Sequence, residues 1–314
     1  MKWFRRPAQD EPPAVFSGAA RSFANPPMPT RAAGRRGALF QQDDLRRAWL
    51  AIKQAGGGAG VDGVTLANFE ENLEENLRQL AQELSSANYR PRPVRQVLVP
   101  KQNGGLRPLA LWALRDRVAQ RAVYECLLPI FEPLFLPCSF GFRPERNVEQ
   151  AVEQLISHRN ANLRWVVDAD IQHCFDEIDS DRLLKQMRPH VRERLLLRYV
   201  EAWLRADILN SADGAKQQAG ASQGNVLSPL LANIYLHDFD LQLQHRQLSL
   251  VRYADDFVIC CRRKEEAQKA EAQAAQALAA LNLKLHPQKT RIVHFDQGFR
   301  WLGYVFIRNE CYRM

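Results

Sequence analysis

The chain has 314 residues, 43 Lys/Arg against 35 Asp/Glu, a net charge of +8 and 46% hydrophobic residues. This composition excludes a wholly disordered chain, and the length suffices for one large domain or two modest ones with a real core. No apolar run reaches membrane-spanning length and no hydrophobic segment follows the basic N-terminus, so neither a membrane protein nor a secretory signal is expected.

Residues 1–40 hold six Pro and a balance of +5, which reads as a basic, Pro-rich flexible tail. Helical spacing begins at 42, with Leu45, Trp49 and Ile52 on one face, and ends at Gly56-Gly57-Gly58. A second helix carries Phe69, Leu73, Leu77, Leu80 and Leu84 until Pro91 and Pro93 break the pattern. Val94 to Val99 reads as a strand, Gly104-Gly105 as a turn and Arg107 to Leu111 as the return strand. Helices are expected at 115–129, roughly 180–206, 227–235 and 264–281, the last rich in Ala. Trp165-Val166-Val167 reads as a strand leading into Asp168-Ala169-Asp170, and Leu248 to Cys261 as two strands around a turn at Ala254-Asp255. Short strands and turns fill the rest, giving an α+β chain. The six cysteines show no metal-binding spacing and read as reduced thiols of a cytosolic protein.

The charge falls into two blocks. Residues 90–121 carry a balance of +7, residues 1–40 carry +5, and the remainder is −4. A basic balance points to a polyanionic partner.

Chemistry centres on Asp255 and Asp256, adjacent carboxylates between apolar, β-prone segments. Two such charges at a buried sheet turn are costly unless a cation neutralises them, and the other reading of the pair is a solvated acidic turn. Asp170 also ends an apolar strand. Three carboxylates on neighbouring strands suit two Mg²⁺ ions, with Mn²⁺ as a substitute, and hence phosphoryl transfer.

These segments resemble the reverse transcriptases of bacterial group II intron type. Tyr253-Ala254-Asp255-Asp256 is similar to their YADD signature, and Asp170-Ile171-Gln172-His173-Cys174-Phe175-Asp176 to their first catalytic motif. Ser222-Gln223-Gly224-Asn225-Val226-Leu227-Ser228-Pro229 resembles the segment that follows it, with Ser222 where the family usually has Pro. The resemblance runs from about Asp62 to Tyr304 and implies a right-hand polymerase. Its expected parts are fingers at 41–160, a palm at 161–314 with an antiparallel sheet packed on helices, and little or no thumb.

It further implies roles residue by residue. Asp170, Asp255 and Asp256, with the Ile171 main chain, hold the metal ions. Lys289, in Leu285-His286-Pro287-Gln288-Lys289, protonates the leaving pyrophosphate. Lys101 and Arg107 grip the incoming triphosphate. Phe175 acts as a steric gate against ribonucleotides, and Gln223 and Gly224 lie at the nascent base pair. Arg121, Arg143, Tyr253, Trp301 and Gly303 contact primer or template. Asp168 and Asp176 read as supporting or capping residues.

The implied activity is RNA-templated DNA synthesis from dNTPs on a DNA or RNA primer, in the bacterial cytoplasm and away from membranes. The chain ends ten residues after Tyr304, which leaves three readings of the missing thumb: a truncated chain, a partner that supplies its function, or an enzyme that makes only short products. The candidate partners are a CRISPR adaptation integrase, in spacer acquisition, and a structured noncoding RNA, in phage defence. Two other readings stay open: a catalytically silent nucleic-acid-binding scaffold and a fragment of a group II intron-encoded protein. A nucleotide cyclase on a related palm lacks its expected GG(D/E)EF-type signature.

Overall fold

The computed structural model describes residues 40–100, 106–209, 217–218, 220–221 and 224–314, with backbone only at 106–108, 209 and 217–218. The tail, Lys101, the Gly104-Gly105 turn, Ser222, Gln223 and the side chain of Arg107 lie outside the described residues.

Helix α1 (Gln42–Ala55) buries Leu45, Trp49 and Ile52 and ends at Gly56, whose φ of +72° suits glycine. The expected second helix is two, α2 (Leu66–Glu71) and α3 (Leu73–Ser85), separated at Asn72. Thr65 caps α2 by accepting the Asn68 N–H at 3.2 Å. Strands β1 (Val94–Pro100) and β2 (Leu106–Leu111) form the expected antiparallel hairpin, with Gln96 opposite Ala110. Helix α4 (Leu114–Phe131) follows, buried over most of its circumference. Helix α5 (Val148–Asn160), not anticipated as an element, starts where Asn147 accepts the Gln150 N–H at 2.8 Å.

Strand β3 (Trp165–Asp170) is the centre of the second half. The helix expected at 180–206 is divided into α6 (Ser180–Met187) and α7 (Arg194–Leu204). Pro189, which has no N–H to continue the ladder, lies between them. Short strands β4 (Asp207–Leu209) and β5 (Gln217–Gln218) extend the hairpin into a sheet of order β2-β1-β4-β5. Helix α8 (Ser228–His245), strands β6 (Ser249–Tyr253) and β7 (Asp256–Cys261), helix α9 (Lys264–Ala279) and strand β8 (Arg291–His294) follow. The chain then forms β9 (Phe299–Trp301), β10 (Tyr304–Ile307) and β11 (Glu310–Arg313).

The main sheet is antiparallel throughout, in the order β6-β7-β3-β8. Because side chains alternate along a strand, it has two distinct faces. Val167, Phe257 and Ile259 join a core with α8 and α9, where the Phe239 and Phe257 rings meet edge-on at 5.2 Å. Val166, Val258 and Cys260 join a second core with α5 residues Ala151, Val152 and Leu155 and with Phe295, Phe299 and Phe306. Ala267, Ala270, Ala274 and Ala277 are fully buried and let α9 lie close to β3 and β7. Among the described residues no helix is long and apolar enough to cross a membrane.

A polar hub ties the first half together. The Tyr89 hydroxyl donates to Asp116 Oδ1 at 2.5 Å and accepts from Trp203 Nε1 at 3.0 Å, while the Arg92 N–H donates to Asp116 Oδ2 at 2.9 Å. Burial pushes the Asp116 carboxyl up to about 6, outweighing the lowering effects of Tyr89 and Arg92. A folded-state value raised above the unfolded one makes the protonated form the better folded partner. Its contribution is fully present below the unfolded value near 4 and is lost as pH rises through about 6. Wild type should therefore gain stability relative to Asp116→Asn, by roughly 2 to 3 kcal/mol, between pH 7.5 and pH 4.5. Urea midpoints across that range measure it, and parallel curves would show that Asp116 does not titrate there.

Candidate active site

The register of the main sheet creates the site. Asp170, the last residue of β3, stands directly opposite Asp256, the first residue of β7. Counting along the pleat puts both carboxylates on the α5 face of the sheet, the side of Val166 and Val258. Tyr253 pairs with Asp256 across a two-residue turn made of Ala254 and Asp255. That turn binds back to the neighbouring strand, since the Ile171 N–H donates to the Asp255 carbonyl at 3.1 Å. Three carboxylates are thus gathered at one sheet end by antiparallel pairing and a tight turn.

Their electrostatics follow from that crowding. Burial, then Asp255 and Asp170, push the Asp256 carboxyl up to about 7, and it hydrogen-bonds to Asp170. Asp255 is also raised, first by burial and then by Asp170. Lys289 Nζ lies 2.8 Å from Asp170 Oδ2. Burial works to lower the Lys289 ammonium, but Asp170, Asp256 and Asp255 outweigh it and raise it. Arg291 pairs with Asp168 on the same face at 2.8 Å.

A cavity of about 330 Å³ opens on this face, lined by residues including Asp170, Asp256, Lys289, Arg291, Arg300 and Trp301. Among the described residues no three His, Cys, Asp or Glu side chains stand in a metal-enclosing arrangement. The donor set nevertheless fits a hard divalent cation. Two cross-strand carboxylates stand in hydrogen-bonding contact, and a lysine ammonium beside them supplies positive charge.

Other expected site residues are placed as follows. Phe175 is half-buried, packed on the main core in the turn after β3. Gly224 has φ +109°, and a Cβ there would lie 2.2 Å from the Ala110 carbonyl, so its backbone sits against β2. Trp301 is buried in the second core, and Leu302 and Gly303, both at positive φ, turn β9 into β10. Tyr253 is half-buried against the same core. Asp176 lies in the turn after β3, its N–H donating to the His173 carbonyl at 2.9 Å.

Two arginines face inward. Arg143 Nη1 donates to the Leu136 and Ser139 carbonyls at 2.8 and 2.7 Å, and Nη2 pairs with Glu132 at 2.7 Å. Arg121 pairs with Glu125 at 3.1 Å and lies over the Tyr124 ring.

The sequence reading missed what supports the turn at Ala254-Asp255. Arg252 is fully buried, one residue before Tyr253. Its Nε and Nη2 donate to the two Asp240 oxygens at 2.7 and 2.6 Å. Nη1 donates to Asn233 Oδ1 and the Ala254 carbonyl, each at 3.0 Å, and Nη2 also reaches Ser139 Oγ at 2.9 Å. All five guanidinium donors are used. Asn233 Nδ2 in turn donates to the Gly141 carbonyl at 2.9 Å. Gly141 packs on the turn itself: a Cβ there would lie 2.4 Å from the Ala254 N. Ala254, at φ +58°, occupies a backbone region that non-glycine residues seldom adopt. A signal was present: an arginine at an inward position of an apolar strand, and Asn233 and Asp240 seven apart on the largely apolar buried face of α8.

Comparisons place these features among known proteins. The family described as "Reverse transcriptase (RNA-dependent DNA polymerase)" matches residues 99–306. Protein YkfC of Escherichia coli (strain K12) is 33% identical over 290 residues, covering 80% of this chain and 76% of that protein. Group II intron-encoded protein LtrA of Lactococcus lactis subsp. cremoris is 29% identical over 313 residues, covering 79% of this chain and 52% of LtrA. The chain therefore spans about three quarters of one relative and about half of the other. Apo telomerase from Candida tropicalis has a similar fold, with a TM-score of 0.55, 12% identity and coverage of 77% of this chain and 53% of that one.

The buried ion pair gives a direct test. Asp240→Leu leaves the Arg252 charge in the core without a counter-ion and should cost about 3 to 5 kcal/mol. Adding Arg252→Met should recover part of that loss. Urea denaturation of the two variants measures both values, and a single-variant cost below about 1 kcal/mol would mean that the pair holds nothing.

Proposed function

The chain belongs to the reverse transcriptase family, and from that premise we propose that it synthesises DNA on an RNA template. The primer 3′-oxygen attacks the α-phosphorus of a dNTP, the bond to the β-phosphate breaks, and pyrophosphate leaves. The observation that carries this reading is the cross-strand pairing of Asp170 with Asp256, with Asp255 on the adjoining turn and Lys289 at Asp170.

Asp170, Asp255 and Asp256, with the Ile171 main chain, would hold two Mg²⁺ ions, replaceable by Mn²⁺. The bound ions supply the charge neutralisation that in-line phosphoryl transfer needs. The remaining work falls to the protein. Lys289, whose ammonium is stabilised by three carboxylates, keeps a proton at Nζ for the departing pyrophosphate. The cavity beside Trp301 and Arg300 takes the primer end, and the turn at Leu302-Gly303 fixes its wall. Phe175 bounds the space for the sugar. Lys101 and Arg107, by the family resemblance, would grip the triphosphate.

For the biological setting we carry forward a partnered enzyme, in CRISPR spacer acquisition or phage defence. Co-purification from the native host with an integrase subunit or with a structured noncoding RNA separates the two.

Primer extension on an RNA template with dNTPs and Mg²⁺ tests the reaction. Asp255→Asn with Asp256→Asn should lower incorporation about a thousandfold or more, the several kcal/mol that metal-held charge contributes. Equal rates for wild type and variant would refute the catalytic assignment. In the same assay Phe175→Ala should admit ribonucleotides, and unchanged sugar discrimination would remove the gate.

A further inference from the structure

Among the described residues, four of the cations expected to meet nucleic acid have partners within the protein. In the 90–121 block, Arg92 pairs with Asp62, Arg115 with Glu83 and Arg121 with Glu125. Arg117 donates to the Gly56 and Gly58 carbonyls at 3.2 and 2.8 Å. The −4 remainder, by contrast, conceals a third basic block. Residues 182–198 hold six Lys/Arg against Glu193 alone. Two blocks were therefore an undercount, because acidic residues elsewhere masked the third.

In this third block Lys185, Arg188, Arg192, Arg194 and Arg198 are all exposed. None of the five forms an ion pair among the described residues; the nearby carboxylates Asp181 and Glu201 are both taken by Arg205. Lys185 and Arg188 stand three apart on and just past α6, and Arg194 and Arg198 stand four apart on α7, spacings at which like charges face each other and repel. Arg90 adds to the cluster, since Arg198 and Arg90 both act on Tyr199. A dense, unpaired cationic surface of this kind is complementary to a polyanion.

Its place in the fold separates it from the carboxylates. Helix α6 rests on α8, where Gln186 Nε2 donates to Asp238 Oδ2 at 2.7 Å. Helix α7 rests on the first half, through the Tyr199 hydroxyl to the Leu84 carbonyl at 2.5 Å. Helix α8 covers the sheet face opposite to that of Asp170 and Asp256. The cations thus stand in a layer of helices behind the sheet.

We propose that the exposed face of α6, α7 and the loop between them docks the phosphate backbone of a single-stranded RNA segment outside the paired primer–template. The choice of RNA rests on the proposed function, because the template is the polyanion that reaction brings. The site itself rests on the charge geometry.

The test is the binding of a labelled single-stranded RNA of mixed sequence to the full chain, measured by fluorescence anisotropy across a salt series. A variant with Arg188, Arg192, Arg194 and Arg198 each replaced by Gln should bind about a hundredfold more weakly at 0.1 M salt. The slope of log K against log salt should fall by about 3, as expected for four lost phosphate contacts on a single strand. The same four positions changed to Lys should bind like wild type, which a structural role for the guanidinium groups would not allow. Equal thermal midpoints and unchanged extension of a short, saturating primer–template establish that the Gln variant is folded and its catalytic centre intact. Unchanged RNA affinity and slope in the Gln variant would overturn the proposal and leave the face to an acidic protein surface. Because binding is read without incorporation, inactive wild type that still binds RNA through this face would count against the proposed reaction alone.

Discussion

A guanidinium without access to water, Arg252, stands three residues before Asp255, the first carboxylate of the β6–β7 turn. Removing such a charge from solvent is costly, and the cost is offset here only because each of its five N–H groups finds an acceptor. Those acceptors come from four places in the chain: Ser139, Asn233, Asp240 and the turn itself at Ala254. One side chain therefore fixes the distance between the 138–141 segment, α8 and the β6–β7 hairpin. The parallel bridge between Ser139 and Arg252, with main-chain bonds of 2.8 Å on either side, locks the same junction from the backbone. The uncommon φ of Ala254 is held between this network and the close approach of Gly141. A turn that is to hold a metal, as proposed here, would benefit from that arrangement, because rigid donors lose less on binding than mobile ones.

How much of this could be read beforehand depended on whether the information was local. The strands at 94–100, 106–111 and 165–170, the two strands around Ala254-Asp255 and the Ala-rich helix at 264–279 each carried their own period or punctuation, and all are present. Three carboxylates at strand ends were likewise legible as residue types in an apolar frame. The short strands at 207–209 and 217–218 were not, because three and two residues carry no period and their pairing with 94–95 is a long-range event. Helix α5 has a readable face at Ala151, Val152 and Leu155, but nothing local says that it covers the sheet face bearing the carboxylates. Arg252 looked like an ordinary strand charge until its partners, up to 113 residues away in sequence, were brought beside it.

The inward-facing arginines make the same point about charge. Net charge counts cations without regard to what neutralises them. Arg143 and Arg121, both in segments that resemble nucleic-acid contacts, have protein partners. The guanidinium is well suited to this, since its planar fork satisfies carboxylates and carbonyls together. Among the described residues, a cluster of basic residues without ion pairs lies instead on α6, α7 and the loop between them, which no motif marked. Folding redistributes the opening charge asymmetry, leaving the sheet end acidic and one helical layer cationic.

The contact between Gly224 and the Ala110 carbonyl has a mechanical consequence. No methyl group fits between the two backbones, so the root of the β1–β2 hairpin bears directly on the loop that leads into α8. On the other side β1 is pinned by its parallel pairing with β4 at Val94 and Arg95. A lever clamped at its base on both sides bends only beyond the clamp. Any flexing of the hairpin must then occur beyond the Gln96–Ala110 pair. The pivot is thereby confined to the outer residues of each arm, and the base of the hairpin stays seated between β4 and the loop that leads into α8.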